Sequence, residues 1–172
     1  MKRSLFLLIA LLFFGSSYGQ EFPTSEEGFE KQYLRNIKKS RLNGVYIPSD
    51  MDDAIKELIE LSPKESIEKF KRADISKVAR KLHFGLGRWM VVNWNFEMGS
   101  RFSHYLKSMG VSYPDDMTEF TIVSLHHHLN DVPLDLKERA KKYAIKRKKE
   151  VDDKNAGASE IGRKKADPPK NP

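Results

Sequence analysis

From residue 51 onward, the apolar positions repeat mainly with helical spacing and are separated by short polar breaks. Between Met51 and Leu61, the residues Met51, Ile55, Leu58 and Ile59 share one face of a helix that Ser49 or Asp50 can cap. Ser62-Pro63-Lys64-Glu65 has the form of a capping box with proline at the first helical position. It predicts a second helix with Ile67 and Phe70 turned inward. Asp74 or Ser76 opens a third, longer helix that reaches about Phe96. Its first half is amphipathic, with Ile75, Val78, Ala79 and Leu82 on one face. From Leu82 to Phe96 only His83, Arg88, Asn93 and Asn95 interrupt apolar residues and glycine. A helix apolar nearly all round is surrounded by others, which places this one at the centre of the fold.

Gly99 breaks that pattern. Ser100 then caps a fourth helix, Arg101 to Met109, closed by Gly110. Pro114-Asp115-Asp116 leads into a fifth from about Met117 to Leu129, ended by Asn130. Asp131-Val132-Pro133 begins a charged sixth helix to about Val151, with a thin apolar stripe of Leu136, Ala140 and Tyr143. Upstream, residues 20–44 form a polar N-terminal segment in which Phe29, Tyr33 and Ile37 fall at i, i+4 and i+8, enough for a short docking helix. Asn43-Gly44 marks a turn, and Val45-Tyr46-Ile47 before Pro48 reads as extended. Residues 152–172 carry almost nothing to bury and are expected to be disordered. The pattern predicts an all-α, compact single-domain bundle of about five to six helices around a central apolar helix. Its helical domain covers 45–131, followed by a charged helix over 132–151 and the basic tail.

The first nineteen residues change the compartment. Lys2 and Arg3 precede the unbroken apolar run Leu5–Phe14, and the small residues of Gly15–Gly19 suit cleavage before Gln20. Ten apolar residues span about 15 Å as a helix, half of a bilayer's hydrocarbon core, so the run reads as a signal peptide rather than an anchor. No later segment is apolar enough to span a membrane. The reading is an exported protein, periplasmic or secreted. The absence of cysteine excludes disulfides, thiol catalysis and a lipidated N-terminal Cys. The net charge of +7 is unevenly placed: residues 43–132 are slightly acidic, whereas residues 133–172 hold 13 basic and 7 acidic side chains. The basic character belongs to the C-terminal part.

Three strings carry a resemblance: Leu82–Trp94 (LHFGLGRWMVVNW), Gly99–Ser103 (GSRFS) and Tyr113–Met117 (YPDDM). Together they resemble an uncharacterised bacterial domain family recognised by a His-Phe-Gly-Leu-Gly-x-Trp helix, a second Trp, a Gly-Ser-Arg turn and a Pro-Asp-Asp-Met helix start. The likeness covers Tyr46 to Asn130, about half the chain. It implies a fold unit and no chemistry, because that family has no assigned activity. Where the family pattern has one histidine in its last helix, this chain has His126-His127-His128.

Candidate ligand-binding residues are His83, Arg88, Trp89, Trp94, Arg101, His104 and His126. His83, Gly87, Met90 and Trp94 line one helix face. Gly85 and Gly87 each cost a helix about 1 kcal/mol relative to alanine, which close helix packing explains more simply than a pocket floor under Trp89 or Trp94. Histidine is the commonest metal ligand and the general base nearest neutral pH. The i, i+4 histidine spacing of helix-borne zinc sites is absent, so no metal and no cofactor is assigned. Arg101 is expected to pair with Asp115 or Asp116. Nucleophile elbows, S-x-x-K pairs and glycine-rich phosphate loops are all missing, and no catalytic residue is named.

The resulting expectation is a non-enzymatic binding or interaction module of the cell envelope. Its partner would be an envelope protein, or an anionic envelope component engaged by the basic C-terminal part. Nucleic acid is disfavoured, because the basic stretch lacks interleaved aromatic residues. The alternative is an enzyme or metal-binding protein joining His83, His104, Arg101 and a histidine of 126–128. A shared concave pocket would favour the second reading, and an exposed apolar or charged patch the first.

Overall fold

The computed structural model describes residues 23–166, with side chains described through Gly157; the predicted signal peptide lies outside the described residues. Helix α1 (Glu26–Asn36) leads to a hairpin of β1 (Arg41–Leu42) and β2 (Val45–Tyr46), paired Arg41 to Tyr46 across the Asn43-Gly44 turn. There follow α2 (Met51–Leu61), α3 (Lys64–Lys71), α4 (Ile75–Leu82), a π-helical turn (His83–Gly87), α5 (Arg88–Asn93), α6 (Arg101–Ser108), α7 (Pro114–Leu129) and α8 (Leu136–Ala166). The protein is all-α apart from that two-stranded hairpin, and it forms a compact helical fold.

At its centre lies α7. It packs against α2, α3, α4, the π turn, α5 and α8, and buries Met117, Phe120, Ile122 and Leu125 together with Thr118, Thr121 and Ser124. Two of these hydroxyl residues return their hydrogen to the helix itself: Thr121 donates to the Met117 carbonyl and Ser124 to that of Phe120, while the Thr118 hydroxyl has no partner. This corrects the expectation that Leu82–Phe96 is central. That segment keeps a solvent side, with Phe84 and Val92 exposed, and its helix ends at Asn93 before a turn through Trp94 and Phe96. The aromatic cluster Trp94, Phe96 and Phe102 joins this turn to α6, with ring centroids 5.3 to 6.3 Å apart.

Local rules account for most boundaries. Asp50 caps α2 through the Asp53 amide, and Ser100 and Ser103 form a reciprocal capping box on α6. Ser62 makes no such box. Pro63 stands at the start of α3 without a side-chain cap, and Glu65 reaches forward to Lys69 at 2.7 Å instead. The fifth predicted helix begins three residues early, at Pro114, whose missing N–H and fixed φ suit a first turn. In α1 the docking side chain is Tyr33, while Phe29 is exposed. Tyr33 lies over Gly99, where any Cβ would overlap its ring, and its hydroxyl is hydrogen-bonded to His104 Nδ1 at 2.8 Å.

The C-terminal helix runs on to Ala166, past Asp152, where the sequence reading expects no structure. Alanine, lysine and glutamate favour a helix without needing anything to bury. The final six residues of the predicted tail lie outside those described. Attachment of α8 comes from Leu136, Ala140 and Tyr143, aided by two arginines of this charged helix. Arg139 donates to Ser124 Oγ, to the Leu134 carbonyl and to the Phe120 carbonyl at 3.1, 3.1 and 3.2 Å. Arg147 holds Asp116 with two hydrogen bonds and also reaches Glu150.

The two glycines of the π turn have different causes. A Cβ on Gly87 would overlap the Thr118 methyl of α7, whereas one on Gly85 meets nothing within 4 Å. Gly87→Ala is therefore expected to destabilise the fold by about 1–3 kcal/mol through overpacking. Gly85→Ala should be neutral or stabilise by up to about 1 kcal/mol. Urea unfolding of both variants checks this, and equal midpoints would contradict the close approach at Gly87.

Candidate functional site

The π turn sets the geometry of the most distinctive surface. A π turn holds one more residue than an α turn and is frequent at functional sites. Here it leaves Phe84 79% exposed, its ring edge-on to His83 at 5.3 Å. Two concavities flank it. One is a cleft of about 400 Å³ between α4, the N-terminal turn of α7 and α8, lined by Ile75, Ala79 and Val123 and by charged groups. His83 Nε2 lies 3.6 Å from Asp115 Oδ1, Asp116 is buried beneath Arg147, and Arg80, Glu119 and Lys146 complete the wall. The other is an apolar groove of about 440 Å³ formed by Leu58, Leu61, Gly85, Leu86 and Trp89 with Ser62. Leu61 of this lining is 56% exposed.

The seven predicted residues distribute over several places. Trp89 and Trp94 meet edge to face, with centroids 5.7 Å apart; Trp89 lines the groove and Trp94 is wholly buried beneath it, its indole N–H unpartnered. His83 belongs to the charged cleft, and Arg88 is exposed on the outer side of the π turn and α5. His104 bonds Tyr33 on the α1 side. His126 faces the Ala73 carbonyl at 3.0 Å and the edge of Phe70, joining α7 to the α3–α4 connection. Asn130 reinforces that junction by donating to the Lys71 carbonyl.

Arg101 is a structural residue with a different partner from the one expected. Its Nε donates to the Ile47 carbonyl at 2.6 Å, its guanidinium stacks over Tyr46, and Nη2 lies 3.8 Å from Asp53 rather than near Asp115 or Asp116. Asp53 Oδ2 collects the Ser49 amide at 2.8 Å, the Tyr46 hydroxyl at 2.9 Å and the Ser49 hydroxyl at 3.2 Å. Partial burial pushes this carboxyl up. The hydrogen bonds from Ser49 and Tyr46, with the Arg101 charge, outweigh that and hold it below the usual carboxylate range. In α8, burial raises the Tyr143 hydroxyl to about 12, assisted by the Glu119 charge.

Among the described residues, no group of three or more His, Asp or Glu side chains is placed to hold a metal ion. Nor is any helix long and apolar enough to cross a membrane. Sequence reasoning passed over Phe84 as a surface anchor and over Arg139 and Arg147 as inward residues. The signal for the arginines was present: between 137 and 149 every other basic residue is lysine, and the two arginines share the face of Ala140 and Tyr143.

A compact α-helical domain with an exposed aromatic ridge is the class that this geometry defines. Residues 47–129 match the model of the family described as Domain of unknown function (DUF6794), so the sequence resemblance falls on a family without an assigned activity. No curated protein and no solved structure matches the chain.

Arg101→Ala removes the donor on Ile47 and one neighbour of Asp53, and is expected to cost about 1–3 kcal/mol of stability. The Asp53 carboxyl is lowered on folding, so its contribution is present above its unfolded pKa of about 3.9 and is lost as pH falls through the folded value. Stability measured by thermal unfolding should therefore drop below about pH 4 by a smaller margin in Asp53→Asn than in the wild type. Parallel profiles would remove Asp53 from the account.

Proposed function

We propose that the protein is an exported, non-enzymatic binding module that docks a partner protein of the cell envelope on the ridge of the π turn. The observation that carries this reading is Phe84, 79% exposed at the edge of the charged cleft and next in sequence to Gly85 of the Leu61–Leu86–Trp89 groove. Single exposed apolar residues are common on protein surfaces, but contiguous ones mark interaction sites. Leu61, which lines the groove, is 56% exposed, and Val92, three residues after Trp89 on α5, is 65% exposed. Aromatic side chains, phenylalanine among them, are enriched at protein interfaces relative to the rest of the surface. Arg88 and Lys81 are exposed on the same turns and supply a polar rim. The export half of the proposal rests on the Lys2–Gly19 sequence pattern.

The rival reading, an enzymatic or metal site, has less support. His83, His104, Arg101 and His126 each engage a different part of the fold, with Asp115, Tyr33, Ile47 and Ala73 as their respective neighbours.

A photo-crosslinking amino acid placed at Phe84, with one at exposed Lys56 as control, tests the ridge in intact cells that carry the protein. One dominant adduct is expected from position 84 and none from position 56. Leu61→Asp and Val92→Asp should abolish it, while leaving thermal stability within about 0.5 kcal/mol as surface substitutions do. The same adducts from both positions, or an adduct indifferent to the two aspartates, would refute the docking ridge.

A further inference from the structure

We infer that the outward face of α8 docks on an anionic phospholipid surface, a second contact separate from the π-turn ridge. Between Leu136 and Val151 the helix carries eight basic and two acidic residues, and the fold sorts the basic ones by type. The two arginines, Arg139 and Arg147, are turned inward and spend their donors on Ser124, Leu134, Phe120, Asp116 and Glu150. All six lysines, 137, 141, 142, 146, 148 and 149, are exposed. Of the nearby carboxylates, Glu138 is paired with Lys141 at 2.7 Å, Glu150 with Arg147 at 2.7 Å and Asp116 with Lys146 at 3.9 Å, while Asp152 and Asp153 follow on the same helix.

This sorting bears on the partner. Arginine forks recognise a single phosphate or carboxylate in a fixed bidentate geometry, whereas lysine is a mobile, hydrated point charge on a flexible stem. A face whose cations are all lysine suits a diffuse layer of negative charge. Its centre is apolar: Ile145 is 69% exposed. Lys141, Lys142, Lys148 and Lys149 lie four and three residues before it and three and four after it, so helical geometry sets all four around the isoleucine. An isolated apolar side chain ringed by lysines has no use to a soluble polyanion. At a bilayer it can enter the headgroup layer while the lysine stems spread along the surface and their ammoniums reach phosphate. Nucleic acid would call for stacking side chains, and Tyr143, the aromatic residue of this stretch, is half-buried edge-on to Phe120.

Each lysine close to an anionic bilayer raises partitioning about fivefold at moderate ionic strength. The test is co-sedimentation of the protein with vesicles of phosphatidylcholine alone or mixed with phosphatidylglycerol, with NaCl raised stepwise. Binding is expected to the phosphatidylglycerol vesicles only, weakening as salt shortens the Debye length. The double variant Lys142→Glu/Lys149→Glu should lower it by at least about 100-fold. Ile145→Ser should lower it by a few fold while leaving the salt dependence in place. Thermal unfolding of the variants, unchanged from wild type, confirms an intact fold, since all three positions are exposed. Absence of binding to phosphatidylglycerol vesicles at low salt would overturn the inference. So would undiminished binding by the double variant, or capture of heparin or nucleic acid by a protein that ignores the vesicles. None of these outcomes depends on Phe84, so this inference and the ridge fail or stand independently.

Discussion

Asp116, in the first turn of the central helix, is 2% exposed, and two hydrogen bonds from Arg147 compensate its charge. A buried carboxylate left alone would cost several kcal/mol, so the position of Arg147 is fixed by what lies beneath it. Much of the molecule follows from that constraint. With Arg147 turned inward, the thin stripe of Leu136, Ala140 and Tyr143 suffices to seat α8. The same pairing gives the charged cleft its floor and fixes which side of α8 the lysines present to solvent. Arg147 also covers the Tyr113 ring at 4.4 Å, tying the loop before α7 into the same knot. Exposed i, i+4 pairs such as Lys31–Glu27 contribute far less, since solvent screens them.

The helices were legible where a local rule acts. Met51–Leu61 is bounded by an aspartate cap and a proline, and Arg101–Ser108 by a serine cap and Gly110, and both follow the residue pattern closely. Legibility failed where tertiary contact decides. Leu82–Phe96 is richer in apolar residues than α7 but not the more buried; Thr121 and Ser124 of α7 bond to their own backbone and so occupy the centre at little cost, while Thr118 sits there with its hydroxyl unpartnered and its methyl against Gly87. The π turn was equally out of reach. Gly85 and Gly87 announced a disturbance, and only the Thr118 methyl against Gly87 distinguishes the glycine that packing requires from the one it does not.

Of the candidate site, the sequence yielded residue types more than places. Its seven candidates include a true neighbour pair, Trp89 and Trp94, and one residue of the charged cleft, His83. The other two candidate histidines join elements, His104 to α1 and His126 to the α3–α4 connection, because an imidazole can meet one backbone or hydroxyl partner and still pack an aromatic face. Arg101 found Ile47 and Asp53, residues about fifty positions earlier, a pairing that no local pattern encodes. Phe84 escaped notice for the opposite reason: in a run of apolar residues nothing distinguishes the one left outside.

The π turn also has a meaning for how this chain tolerates length. Within the single path from Ile75 to Asn93 it accommodates one residue beyond what an uninterrupted α-helix would use, and each residue of an α-helix turns the chain by about 100°. Losing that residue would therefore rotate α4 against α5 by roughly a quarter turn or more. The stripe Ile75–Ala79–Leu82 and the residues Met90 and Trp94 would no longer face the core together. Relatives that preserve the outward phenylalanine should thus keep the spacing between these two stripes intact, and gains or losses of single residues should be confined to the polar connections on either side.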